Sequence, residues 1–313
     1  MTESTKNGGT GTPVVPPFFM AKPSALDGGG SSAARQVVSM GWHPDLPDLR
    51  DKLLSHPDVE DKLKASKSLI TTSEKIRPHI DHSKTCSPIE DQGDLGSCTA
   101  QAVVGLMEYM MCRSSGKHID GSRLFTYRVT RNLLGWTGDR GAYLRTAMQS
   151  VAAFGIAPEK HWPYIIDRYE EEPSAFLYSF ADNYKTLNYA RLDPVGMPTS
   201  QVLVSLKRTI AAGYCVVFGF TVYSSISGKA DIPFPQIYDS VAGGHAVMAV
   251  GYDDNHITWE GEKVPSLIIR NSWGTGWGDD GYGYLPYDYV SAGLARDFWT
   301  SFKWEWIDSG QFQ

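Results

Sequence analysis

The sequence predicts an α+β chain whose helices gather in its first half and whose strands gather in its second. Three observations carry that reading. Val103, Leu106, Met107, Met110 and Met111 recur at helical spacing over 99–116, where Gly116 supplies a stop. Leu144, Ala147, Met148, Val151 and Phe154 repeat the pattern over 143–154, stopped by Gly155. Beyond residue 213 the pattern changes: 215–222, 246–252 and 266–271 are apolar, β-branched runs bounded by Gly, Pro and Asp, which read as strands.

Between these halves, 199–213 has an N-cap candidate in Thr199, apolar Val202, Leu203, Leu206 and Ile210, and a closing glycine, so it reads as a helix. Near the end, Phe298, Phe302, Trp304 and Trp306 alternate as on a half-buried strand. The expected organisation is a helical lobe over about 87–195 and a β lobe, sheet or barrel, over about 196–313. Residues 1–35 are rich in Gly, Pro, Ser and Thr without an apolar period and are expected to be disordered. An extension over 36–75 follows. Its Trp42, Leu46 and Leu49, interrupted by prolines, would be costly to expose and are expected to dock, and 49–70 reads as one or two short helices broken at Pro57. The domain proper is 76–313.

With 313 residues, 42% of them hydrophobic and 12% aromatic, the chain can bury a sizeable core. A net charge of −6 gives no broad basic surface, so nucleic acid is not expected as the main partner. No apolar run approaches the roughly 18 residues of a membrane span, and the opening residues lack the charged start and apolar region of a secretory signal. A cytoplasmic protein away from the membrane is the expectation, with signal-independent export compatible.

The chemistry concentrates at 87–100, SPIEDQGDLGSCTA, which delivers Cys98 to the start of a helix. There, unpaired N–H groups and the positive end of the helix dipole favour thiolate and lower a cysteine pKa. A nucleophile also needs a base, and the base a residue that orients it. His245 stands alone among apolar residues in GGHAVMAVGY, and Asn271 follows in IIRNSWGTGWG. Singly, each has a bland reading: buried cysteines are commonly inert, a histidine on an apolar strand is usually a bonded core residue, and asparagine forms turns. Their joint context makes them candidates.

The order Gln, Cys, His, Asn with the Asn-Ser-Trp-Gly-x-Gly-Trp-Gly run resembles the papain-like cysteine peptidases over roughly 87–289. His245 falls within the roughly 130–150-residue spacing of that family, and Asn271 beyond it. The resemblance implies a papain-like two-lobed fold with the cleft between the lobes, and a Cys98, His245, Asn271 triad. It gives Gln92 and the Cys98 N–H to the oxyanion hole, and Trp273 to shielding the His–Asn contact. Gly141 and Ala142 stand where the family has a glycine pair that lines the cleft, and with Gly244 and Trp277 they are the expected substrate-binding residues. Gly141 fits that role but Ala142 departs from the pair, and two further positions depart from the family. Leu95 replaces a disulfide-bonded cysteine, as in a bacterial-type variant, and Thr99 replaces an aromatic residue.

The implied function is a cysteine endopeptidase acting on peptide or protein substrates. Two rivals share the site: an acyl transferase or ligase, and a peptide-binding pseudoenzyme. The extension fits either a strap over the cleft, as in a zymogen, or a structural brace. With Cys98 committed to chemistry, Cys86, Cys112 and Cys215 allow at most one disulfide, so the fold does not rest on such a framework. His79, Asp81 and His82 have metal-like spacing, but no further ligand cluster lies near them, and no phosphate-binding loop occurs. No metal or cofactor is expected.

Overall fold

The helix that begins at Cys98 is α1, Cys98–Ser115, and every residue from Cys98 to Met111 in it is buried. It is therefore covered all round, and the apolar spacing read from the sequence marks only one of its packed faces. The computed structural model describes residues 40–57, 59 and 76–306. The segment expected to be disordered at 1–35, and most of the stretch read as short helices at 49–70, lie outside them. Among the described residues the other α-helices are α2 (Arg123–Leu134), α3 (Leu144–Phe154), α4 (Ala175–Ala181), α5 (Thr199–Ala211) and α6 (Tyr287–Ser291).

The strands are β1 (Trp42–His43), β2 (His79–Asp81), β3 (Ala142–Tyr143), β4 (Tyr184–Arg191), β5 (Val216–Tyr223), β6 (Val241–Asp253), β7 (Ser266–Arg270), β8 (Tyr282–Pro286) and β9 (Ala295–Trp306). Among the described residues, β4-β9-β5-β6-β7-β8 form one antiparallel sheet, and β2 joins the far end of β6. The sheet is open, which corrects the barrel half of the expectation. Its β8 edge is instead met by the 230–232 loop, through Tyr284 N–H to Ala230 O at 2.8 Å and Ile232 N–H to Tyr284 O at 3.0 Å.

Strand periodicity divides the core. Along β6, Ala246, Met248 and Val250 share a buried cluster with Leu106, Met107 and Met110 of α1, whereas Val247 and Ala249 join Leu206 and Ile210 of α5. A third cluster holds Leu95, Leu124, Phe125 and Leu177 in the helical lobe. One ion pair crosses this region: Glu108 of α1 is buried and receives Arg123 Nη2 at 2.9 Å. It also accepts from Gly121 N–H and Ser87 Oγ, so the carboxylate anchors the loop that leads to Cys98.

All four cysteines are free. Leu95, at the position of the family's bridging cysteine, is buried in the third cluster, so apolar packing holds what a disulfide would. In the extension, Trp42 docks and is 4% exposed, but Leu46 and Leu49 are exposed, contrary to expectation. Polar anchors at Asp45 and Asp51 hold that segment instead.

Candidate active site

Cys98 opens α1 directly after a loop stitched to the opposite lobe. Gln92 N–H donates to Ser272 O at 2.8 Å, and Gly274 N–H donates to Glu90 O at 3.0 Å. The buried Gln92 amide accepts from Ser272 Oγ at 2.6 Å and donates to Leu95 O at 2.9 Å, which fixes its orientation.

His245 lies on β6, opposite Phe220 of β5. Its Nε2 is 2.7 Å from Asn271 Oδ1, which also accepts the Ser272 N–H at 2.8 Å. The second donor identifies that end of the amide as oxygen, so Nε2 carries the proton and Nδ1 holds the lone pair. Nδ1 is buried without a hydrogen-bond partner. Trp273 stacks on the imidazole with centroids 4.4 Å apart and planes 27° apart, covering the His–Asn contact. Burial lowers the His245 pKa to about 4, against the raising effect of the Asn271 bond.

Residues 40–43 lie on this site. A Cβ on Gly41 would sit 1.9 Å from Gly96 O, and one on Gly141 would sit 2.1 Å from Gly41 O. Gly41 O accepts the Ala142 N–H at 2.7 Å, and β1 pairs parallel with β3 through Trp42↔Ala142 and His43↔Tyr143. The wall formed by Gly141 and Ala142 thus pairs with an extended main chain, as strand addition requires. Met40 covers Gly243, and Trp42 covers Gly244.

Under this cover Cys98 and His245 are both fully buried. The Cys98 thiol is pushed up to about 11 by burial, while backbone hydrogen bonds from Ala246, Gly41 and Thr99 pull the other way. The expectation that the helix N-terminus lowers this thiol is reversed here, because the loss of water outweighs the helix end.

The extension is latched by buried charge. Asp45 takes the Trp299 Nε1–H at 3.0 Å, its own N–H donates to Asp297 at 2.7 Å, and Arg145 holds Asp51 with two bonds of 2.7 Å. Arg191 meets Asp297 at 2.6 Å, Asp193 at 3.0 Å and Asp51 at 3.4 Å. Burial and the facing Asp297 push the Asp45 carboxyl up, against Arg145 and Arg191. Burial and Asp193 raise Asp297, against Arg191.

Of the remaining expected residues, Trp277 is buried, donates to Ser227 O at 2.9 Å and meets Trp273 edge-on. His82 bonds Ile210 O at 2.8 Å, and His79 meets Asp253 at 3.2 Å. Sequence reasoning missed the polar brace beneath the cleft wall. Asp139 accepts from Gly96 N–H at 3.0 Å and from Tyr127 Oη at 2.6 Å, while Gly141 N–H donates to that same Oη. Tyr164 Oη bonds Ser97 Oγ at 2.6 Å and donates to Gln92 O at 3.0 Å. No spacing in the sequence signals these long-range bonds.

A family profile described as papain family cysteine protease matches residues 76–300. The chain is 32% identical over 279 residues to an uncharacterized peptidase C1-like protein of Acanthamoeba polyphaga mimivirus, covering 83% of this chain and 86% of that one. It is 30% identical over 217 residues to cathepsin K of Mus musculus, covering 67% of this chain and 60% of that protein, and so spans less than two thirds of it. Among solved structures, xylellain, a cysteine protease from Xylella fastidiosa, matches with a TM-score of 0.69 at 31% identity, covering 87% of this chain and 98% of that one.

Proposed function

The chain belongs to the papain family of cysteine proteases, and from that premise we propose that it cleaves peptide bonds through Cys98, His245 and Asn271 and is held inactive by residues 40–43. The observation that carries the triad is the imidazole: its Nε2 is committed to Asn271 at 2.7 Å, and its Nδ1 is left as an unpartnered, buried base.

His245 Nδ1 takes the thiol proton, and the Cys98 thiolate attacks the substrate carbonyl carbon. The negative charge that develops on the carbonyl oxygen is met by the Cys98 N–H, one of the orphan donors of the first helical turn, and by the Gln92 amide. His245 returns the proton to the departing amine, which leaves an acyl-thioester on Cys98. A water then gives its proton to His245 and attacks the thioester carbonyl, and the acid product leaves as the thiol is restored. Asn271 holds the ring through both halves, and Trp273 keeps water from competing for that bond.

The extension supports a zymogen reading. Gly41 lies against Gly96 and Gly141 beside Cys98, and its carbonyl accepts the N–H of Ala142, the wall that an extended substrate would use. Being tethered, it acts at high effective concentration, so it must be displaced before substrate enters. The test removes the nucleophile in a chain whose strap is already weakened. Cys98→Ala in a Trp42→Ala background is expected to lose more than about a thousandfold in kcat/KM for a short peptide, with an unchanged circular dichroism spectrum. Residual hydrolysis above that level sinks the assignment.

A further inference from the structure

One phenol holds both ends of the loop that delivers Cys98. Tyr164 Oη donates to the main-chain Gln92 O at 3.0 Å and lies 2.6 Å from Ser97 Oγ. A phenol has a single proton to give. The Gln92 carbonyl takes it, so the Ser97 hydroxyl is the donor in the second bond. Burial raises the Tyr164 phenol to about 12, so it keeps that proton at neutral pH. Its mount is fixed as well: Ser122 Oγ donates to Trp162 O at 2.6 Å, Glu159 accepts the Tyr164 N–H, and Pro163 locks φ between them.

Ser97 gives up its ordinary task to make this bond. It stands at the N-cap of α1, where a serine oxygen usually accepts a first-turn N–H from an extended backbone. Here the side chain makes no capping bond, and φ −93°, ψ 11° lies outside the extended region. The ψ angle of Ser97 sets the plane of the Ser97–Cys98 peptide, and with it the direction of the Cys98 N–H. An extended value would turn that N–H through roughly a right angle or more. The fully buried Ser97 side chain, tied to Tyr164, holds the turned form.

Resting on the peptidase reading above, we propose that Tyr164 is a positioning residue for the reaction: its hydroxyl sets the spacing and direction of the two oxyanion donors, the Gln92 amide and the Cys98 N–H, without touching the substrate. The bond to Gln92 O fixes one donor, and the bond from Ser97 Oγ fixes the other. Both must meet the oxygen of the tetrahedral intermediate, which lies away from the position of the planar carbonyl oxygen. A displaced donor therefore lowers rate more than substrate affinity.

The experiment compares full-length Trp42→Ala protein with the same chain carrying Tyr164→Phe as well. For a short peptide amide, kcat should fall at least tenfold while KM stays within about threefold. A peptide nitrile probes the donors directly. The Cys98 sulfur bonds to the nitrile carbon, one π bond of C≡N opens, and the thiol proton ends on the nitrogen, which faces the same donors. Its inhibition constant should rise at least tenfold. Iodoacetamide alkylation of Cys98, in which sulfur displaces iodide and no oxyanion forms, should stay within about twofold. Ser97→Ala, which deletes the second bond alone, should give the same pattern and carries the test should Tyr164→Phe fold poorly. Unchanged kcat and nitrile inhibition in a folded variant overturn the positioning role and leave the peptidase reading standing. So does a fall in alkylation equal to the fall in kcat, because the hydroxyl would then act on the thiol and not on the donors. No cleavage of any peptide by a folded Trp42→Ala chain overturns both.

Discussion

Raising the pH should open the strap, and Asp45→Asn should blunt that response. Four carboxyls, Asp45, Asp51, Asp193 and Asp297, meet two guanidiniums, Arg145 and Arg191, where the extension joins the domain. Burial and mutual repulsion raise both Asp45 and Asp297 above the usual carboxylate range. Once the strap lifts, Asp45 returns to water, where an aspartate titrates near about 3.9. The docked state therefore has the higher pKa. Its stabilisation is fully present below the undocked pKa, and it is lost as pH rises through the docked one. Each pH unit in that window costs about 1.4 kcal/mol for one proton, up to a tenfold fall in the docking constant.

The assay compares full-length kcat/KM with that of Trp42→Ala over pH 4 to 8, since the ratio cancels the pH dependence of the chemistry itself. For the wild type the ratio should climb toward one as pH rises. Asp45→Asn keeps the shape, carries no titrating proton and still offers an oxygen to Trp299 Nε1–H, so its ratio should climb by one proton less. A pH-independent ratio, or the same slope in Asp45→Asn, would refute the latch.

Two further substitutions test the frame around the triad. Asn271→Ala removes the acceptor of His245 Nε2–H but leaves the reacting groups; kcat/KM should fall on the order of a hundredfold, less than for Cys98→Ala, and equal losses would contradict an orienting role. Glu108→Ala strands a guanidinium whose side chain is 2% exposed; thermal unfolding should show a loss of about 3–5 kcal/mol, and a loss below about 1 kcal/mol would mean that Glu90 and Asp120 compensate.

Much of this architecture is written locally. The helices read at 99–116, 143–154 and 199–213 and the four strands read beyond residue 213 are present, because their apolar spacing reports burial that the fold then satisfies. Helix α2 was not legible: its buried face includes Arg123 and Arg131, whose burial depends on distant partners at Glu108 and Glu170. Strand β4 escaped for a similar reason, since it pairs with β9, more than a hundred residues on. At the site, the motifs pointed to Cys98, His245, Asn271 and Gln92, whereas the brace of Asp139, Tyr127 and Tyr164 is made only by tertiary bonds. In the extension, docking was expected from apolar groups, and Trp42 does dock, yet Leu46 and Leu49 face solvent and the polar residues Asp45 and Asp51 supply the other anchors.

The thiol shows how a local rule yields to its surroundings and returns when they change. A helix N-terminus favours thiolate by fixed dipoles, an effect of about 1 kcal/mol, whereas complete burial beneath Gly41 and Trp42 removes the water that would solvate the charge. With Cys98 pushed up to about 11 and His245 down to about 4, the covered site holds a neutral thiol and a neutral imidazole, and no ion pair forms. Lifting the strap rehydrates both groups and leaves the helix end and the Asn271 bond in place, so both values should move toward each other. Iodoacetamide at pH 6 reads this directly, because it reports thiolate. Alkylation of Cys98 should be at least tenfold faster in Trp42→Ala than in the wild-type chain, and the excess should vanish when His245 is also replaced by Ala. Equal rates in the two strap states would show that the cover neither excludes the reagent nor suppresses the thiolate, and the autoinhibitory reading would fall with that result.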